Sequence, residues 1–383
     1  MLARVSYVVY YLLAAAIGLV FVFLSELQDD FGLSGTEVGV VASMGFLAAL
    51  VSQLVLSPLV DRGHTEAVAW LAVAVGAAGS IGFGLSDDVV TFALSRGAVG
   101  IGLGLYGIVA RKAIIGRDVT GGGAKVGALL SSAVAGFISG PAIGAVLGAV
   151  SFATPFVVVG LLLVVPGAIG ARLIGRAEVA AAPVNYKDLG ALVRRPRVQA
   201  ALLTQFVVFG FIGVFDATVD RYLTDVGVSD AGIALSLVVV GMPMLFLPPR
   251  TGALAERVGG ARVVVPALVV TVPVIVAYGF INGVWFFVSI GLIHTTCEAF
   301  SNMGAQVLVL EAAGAERAAV GSALLDAVGM AIAAVTAFVA PPLYLEVGEA
   351  ALFGGWAAIS GLAVAVAFGR LRAVRAPSLL ATA

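Results

Sequence analysis

The sequence predicts an all-α membrane protein of twelve transmembrane helices, arranged as two pseudo-symmetric six-helix bundles. Three observations predict it. First, 61% of the 383 residues are hydrophobic and only 11% are Asp, Glu, Lys or Arg, whereas a water-soluble domain carries about a quarter charged residues. So few charges cannot cover a surface that faces water. Second, apolar runs of about 20 residues, the length a helix needs to cross the hydrocarbon core, recur along the chain between short polar breaks. Third, the charges in those breaks alternate in sign from one break to the next.

The apolar runs give spans at 5–25, 37–59, 66–85, 89–110, 124–147, 152–174, 198–223, 230–250, 262–280, 284–309, 318–343 and 350–369. The first is longer than the apolar core of a signal peptide and lacks a small-residue cleavage site after it, so it is expected to be retained as a span. Turn residues fill the breaks: Asp29-Asp30-Phe31-Gly32, Ser86-Asp87-Asp88, Gly121-Gly122-Gly123 and Asn282-Gly283. The longest break, 176–197, holds the linker-like Ala180-Ala181-Ala182-Pro183 and a stretch from Asn185 to Val193 that can form a short interfacial helix with Leu189 and Leu192 on one side. Arg194, Arg195 and Arg197 are expected among lipid headgroups. The predicted organisation is a bundle at 1–175, a cytoplasmic linker at 176–197 and a second bundle at 198–383.

With the N-terminus placed in the cytoplasm and the breaks assigned alternately, 19 of the 21 Lys and Arg residues fall on the cytoplasmic side. The exceptions are Arg96 and Arg221. The opposite breaks carry Glu26, Asp29, Asp30, Asp87, Asp88, Asp225, Asp230, Glu346 and Glu349. This positive-inside asymmetry places both termini in the cytoplasm. The short loops point to an inner (plasma) membrane, and a monomer is expected. No basic tract suggests nucleic acid.

The halves repeat. Phe31-Gly32-Leu33-Ser34 recurs as Val226-Gly227-Val228-Ser229, 195 positions on. Asp61-Arg62 recurs as Glu256-Arg257, again 195 on, and Val126-Gly127 as Val320-Gly321, 194 on. Six spans repeated in one orientation imply a two-fold axis along the membrane normal, with a substrate site between the halves.

Three motifs resemble the major facilitator superfamily across the whole chain. The loop after span eight reads Gly252-Ala253-Leu254-Ala255-Glu256-Arg257-Val258-Gly259, close to the family's Gly-x-Leu-Ala-Asp-Arg-x-Gly signature. A degraded copy follows span two, Ser57-Pro58-Leu59-Val60-Asp61-Arg62-Gly63. Asp61, Arg62, Gly252, Glu256 and Arg257 then form a charged conformational latch or, more plainly, loops that fix topology. Span four contains Arg96-Gly97-Ala98-Val99-Gly100-Ile101-Gly102, matching Arg-x-x-x-Gly-x-Gly. The resemblance associates that Arg with proton transfer; the alternative is snorkelling to the interface. In span five Gly127, Gly136, Gly140, Pro141 and Gly144 satisfy the antiporter signature of drug–proton exporters. Their bare face admits close packing of a neighbour, and Pro141 permits a bend.

Intramembrane ionisable groups mark the candidate site. Glu298 lies mid-span with His294 and Asn302 one turn to either side, so the three share a helix face. The stripe lines a substrate cavity and couples protons, or it is a structural His–Glu pair. Asp216 and Asp220 lie one turn apart in the outer half of span seven, with Arg221 next; Asp220 and Arg221 read as marking the interface, while Asp216 is deeper. Asp326 lies about 6 Å from the centre of span eleven by helix rise, and either lines the inner cavity or accepts from a neighbouring hydroxyl. Tyr11 is a substrate-contact candidate or an interfacial anchor. The first half has no acid well inside a span, where many drug–proton exporters carry one. No cofactor motif, metal-spaced His/Cys set or catalytic loop domain appears, so an enzyme is not expected. The expected function is secondary active transport of a small molecule, proton-coupled and outward. An importer, an uncoupled facilitator and a transport-inactive sensor or scaffold are the alternatives.

Overall fold

The first predicted span forms α1 (Leu2–Leu19), which tightens into a 3₁₀ turn (Val20–Val22) and restarts as the short α2 (Leu24–Asp29). This is a computed structural model, describing residues 1–117, 122–177, 189–313 and 318–375. Among them every regular element is helical: α3 (Gly35–Asp61), α4 (Thr65–Gly84), α5 (Val89–Arg117), α6 (Gly122–Gly148), α7 (Ala153–Gly175), α8 (Leu189–Val193), α9 (Pro196–Asp225), α10 (Asp230–Phe246), α11 (Pro248–Val258), α12 (Gly260–Tyr278), α13 (Val284–Ala313) and α14 (Ala318–Arg375).

Ten of these helices are long and apolar enough to cross a membrane, and α10 with α11, bent by 40°, makes an eleventh span. The bend falls at Pro248-Pro249, where the missing N–H groups cost least at the start of the new helix. The twelfth comes from α14, which breaks at Gly348 (φ 77°, ψ 172°) into segments 318–347 and 349–375. That conformation is essentially restricted to glycine, and other residues pay about 1–3 kcal/mol to adopt it. Gly348→Ala is therefore expected to lower the thermal midpoint of the purified protein. Gly354→Ala, in helix with open space around it, should hold the midpoint or raise it slightly.

Local signals repeat between the halves. Ser34 and Glu37 form a capping box at the start of α3, and Ser229 caps α10 by accepting from the Gly232 N–H. Two residues before each cap stands a left-handed glycine, Gly32 (φ 69°) and Gly227 (φ 78°). The charged loops likewise turn on Gly63 (φ 91°) and Gly259 (φ 93°), a backbone that residues with a Cβ rarely adopt.

α1, α3, α4, α5, α6 and α7 pack among themselves, as do α9, α10, α12, α13 and α14. Between these groups α3 lies on α14 and α6 on α10, two interfaces that the repeat relates. At Gly39 the backbones nearly touch, since an added Cβ would run into the Phe338 carbonyl. Leu54, Val55, Leu161, Leu162 and Leu235 stay exposed on the outer surface, where lipid replaces water as solvent. Leu192 of α8 is buried in the core formed by α9, α12, α13 and α14; that segment docks on protein rather than lying free at an interface. Residues 185–188 of the expected interfacial helix, and half of the linker, lie outside the described residues.

Candidate functional site

A central cavity of about 360 Å³ lies between the two groups of helices. One wall comes from α1 with its 3₁₀ extension, α3, α5 and α6 and is apolar: Phe21, Phe46, Leu103, Phe137 and Ile138. The other comes from α9, α10, α12 and α13 and carries Asp216, His294, Thr295, Glu298 and Asn302. The 195-residue repeat puts Phe21 at the position of Asp216 and Leu103 at that of Glu298. The scaffold is duplicated while its chemistry is one-sided.

The predicted stripe on α13 does face the cavity. Glu298 is half-buried and lines the space. Asn302 accepts from Gln205 Nε2 at 3.4 Å. His294 is buried, edge-on to Phe211 at 4.3 Å, with Nδ1 3.5 Å from Tyr278 Oη. It is thus held in aromatic packing rather than bonded to Glu298. Thr295 ties α13 to α10 by donating to the Val240 carbonyl at 2.7 Å.

Asp216 is 6% exposed, and its Oδ2 has no hydrogen-bond partner among the described residues. Arg96 on α5 and Glu298 both act on it electrostatically, although no direct ion pair with Arg96 forms. Arg96 is 1% exposed, so it does not snorkel. Its Nη1 donates to the Ile17 carbonyl, and its guanidinium lies 5.2 Å from the Phe21 ring centre. Ile17 stands in the last turn of α1, where carbonyls lack intrahelical partners. Gly45 makes room: a Cβ there would sit 3.1 Å from Arg96 Nε.

Other predicted residues lie elsewhere. Tyr11 does not line the cavity; it shares a 2.7 Å hydrogen bond with Ser139 on α6, because its face of α1 turns toward that helix. Asp326 is half-buried outside the cavity lining, within electrostatic reach of Tyr10 and Arg111. Gly136, Gly140 and Gly144 pack against α1 and its 3₁₀ extension, and Pro141 lines the cavity. Gly127 has no packing role here: a Cβ at that position would meet nothing within 4 Å. Arg62, Glu256 and Arg257 are exposed, Gly252 is half-buried, and the Asp61 side chain lies outside the described residues. At the second loop the contact is made instead by Glu311, which accepts from Gly260 N–H at 3.0 Å and pairs with Arg197 at 3.5 Å.

A contact that the sequence reading missed closes the end of the molecule holding the acidic loops. Asp220 Oδ2 accepts from both the backbone N–H and the hydroxyl of Ser25, each at 2.7 Å. Arg221 bridges Asp29 at 2.7 Å and Asp225 at 2.9 Å, and Tyr344 donates to Asp225 at 2.7 Å. Ser25 and Asp220 are 195 positions apart, the offset of the repeat. Equivalent residues meet only beside the two-fold axis, and that was the available signal.

Comparison with known proteins extends this geometry. The model of the Major Facilitator Superfamily matches residues 6–337. No curated protein matches the chain. Among solved structures, a bacterial homolog of the human lysosomal transporter Spinster, in an inward-facing and occupied conformation, superposes with a TM-score of 0.75 at 14% identity, covering 97% of this chain and 96% of that one. The same transporter, inward-facing and unoccupied, gives 0.75 at 16% identity with the same coverage. A variant of the nucleoside transporter NupG gives 0.70 at 15% identity, covering 97% and 99%. At these identities the likeness concerns the fold. The family match spans most of the chain, which therefore belongs to the Major Facilitator Superfamily and is a multi-pass membrane transporter of a small molecule.

Proposed function

We propose that this transporter exports amphipathic cations in exchange for protons. The observation that carries the reading is a single cavity with Asp216 and Glu298 on one wall and an apolar, aromatic wall opposite. A carboxylate can hold a proton or a cationic head, and competition for it links the two fluxes. The apolar wall suits the body of such a substrate. In this mechanism residues 1–175 rock against 198–383, with the basic end in the cytoplasm and the acidic end outside. Arg96 balances Asp216, and Glu298 carries the exchanged proton. Each bound species drives the rocking only through its different affinity for the two states. The outward direction draws support from the glycine signature of α6.

The test uses purified protein in liposomes with an internal pH dye. Lipophilic cations, sugars, amino acids and organic acids are added to wild type and to Glu298→Gln. Proton movement triggered by cations and lost in the variant is expected. Substrate flux without proton movement in either protein would leave a facilitator, with Glu298 a binding group only.

A further inference from the structure

The acidic end carries a second titratable device, separate from the central pair. Asp220 is 2% exposed and lies one turn from Asp216 on α9, about 6 Å along the axis. One of its oxygens takes two hydrogen bonds from Ser25, each at 2.7 Å. Bonds to a charged acceptor are roughly twice as strong as neutral ones. The bond joins equivalent positions of the two repeats, so it lies beside the two-fold axis, on the seam where the halves must part.

We propose that Asp220 is a proton-operated latch. As a carboxylate it holds Ser25 and keeps the acidic end closed; as a carboxylic acid it releases Ser25 and lets that end open. The proton moves from water at the acidic end onto a carboxylate oxygen and returns to that water when the gate closes. Opening gives the solution access to Asp216 one turn deeper, whose Oδ2 has no hydrogen-bond partner among the described residues. The latch thus ties proton availability outside to access to the central carboxylates. This rests on the alternating-access reading above.

The ionisable surroundings are mostly acidic. Along α9 stand Asp216, Arg221 and Asp225, and Arg221 is engaged by Asp29 and Asp225. From α2 come Glu26 and Asp29, and from α10 comes Asp230. α3 contributes Glu37, held in its capping box, and α14 contributes Tyr344, bonded to Asp225. Tyr278 of α12 and His294 of α13 meet each other and Phe211. Burial, and then Asp30, Asp230 and Asp220, push the Glu26 carboxyl above its ordinary range. Glu26 can thus carry a proton toward this cluster under milder acidity than an exposed glutamate.

The experiment places spin labels at Thr36 and Val347, both exposed near the acidic end, in full-length protein whose Cys297 is replaced by alanine. Distances are measured in nanodiscs across a pH series. In wild type the wide population is expected to grow as pH falls. Asp220→Asn should abolish that dependence and hold the wide population at every pH. Asp220→Glu, which still titrates, should keep a response with a displaced midpoint and serves as the folding control. A pH response unchanged in Asp220→Asn overturns the latch, as does a wild type that stays closed at every pH. The liposome test of Glu298 is read independently, so loss of either proposal leaves the other measurable.

Discussion

Gly140→Val should break the packing of α1 on α6, while Gly127→Val should be tolerated. The family signature treats the two glycines alike; their surroundings differ. A Cβ at Gly140 would lie 2.7 Å from the Gly18 carbonyl carbon and 2.8 Å from the Ala15 oxygen. Gly18 in turn faces the Phe137 carbonyl, and Gly136 faces the Tyr11 carbonyl, each too close for any added carbon. These neighbours are backbone, which no rotamer change can move. Forcing extra methyl groups into such a contact costs about 1–3 kcal/mol and more where backbones must separate. Gly144 faces the side chains of Val22 and Phe23 at 2.9 and 3.1 Å; these can shift, so Gly144→Val should cost less. Around Gly127 there is open space, and alanine there should even gain some of the roughly 1 kcal/mol by which it exceeds glycine in helices. Thermal midpoints and yields of monodisperse protein should rank Gly127 as tolerant, Gly144 as intermediate, and Gly136 and Gly140 as most damaged. Equal losses at Gly127 and Gly140 would show that the stripe is constrained by something other than this interface.

The same contrast shows what the sequence can disclose. Span length and charge placement are one-dimensional properties, so the helices and the duplication were legible. Spacing of four residues put His294, Glu298 and Asn302 on one face, and that face does look into the cavity. Spacing cannot say which neighbour a face meets, which is why Tyr11 belongs to Ser139 rather than to the cavity. Acidic residues near a span end read as interfacial, yet Asp220 is buried because the other repeat covers it with Ser25. Glu311 carries no local signal in the sequence, because its partners, Gly260 and Arg197, are 51 and 114 positions away. The one-sided site was partly legible: the first half lacks an intramembrane acid, and the structure shows Phe21 and Leu103 where the second half has Asp216 and Glu298.

Arg96→Leu is expected to unfold or inactivate the protein, and the reason decides how it can be rescued. The substitution removes the donor to the Ile17 carbonyl, leaving the last turn of α1 with an unsatisfied group where α1 tightens into its 3₁₀ turn. A buried polar group without a partner costs about 1–3 kcal/mol. It also removes the positive charge that balances Asp216, and stripping one member from a buried charge set costs about 3–5 kcal/mol. Because Arg96 and Asp216 act on each other without direct contact, the charge part should fall toward the low end of that range. Arg96→Leu combined with Asp216→Asn should then recover part of the lost thermal midpoint, the portion due to charge, while the Ile17 portion stays lost. Arg96→Lys keeps the charge but has one nitrogen in place of a planar fork, so it should be milder than leucine. A double-mutant cycle on thermal stability measures the coupling. Strict additivity would mean that Arg96 serves α1 alone and that Asp216 needs no counter-charge. Positive coupling with transport still absent in the double variant would assign the pair a part in the transport cycle beyond folding.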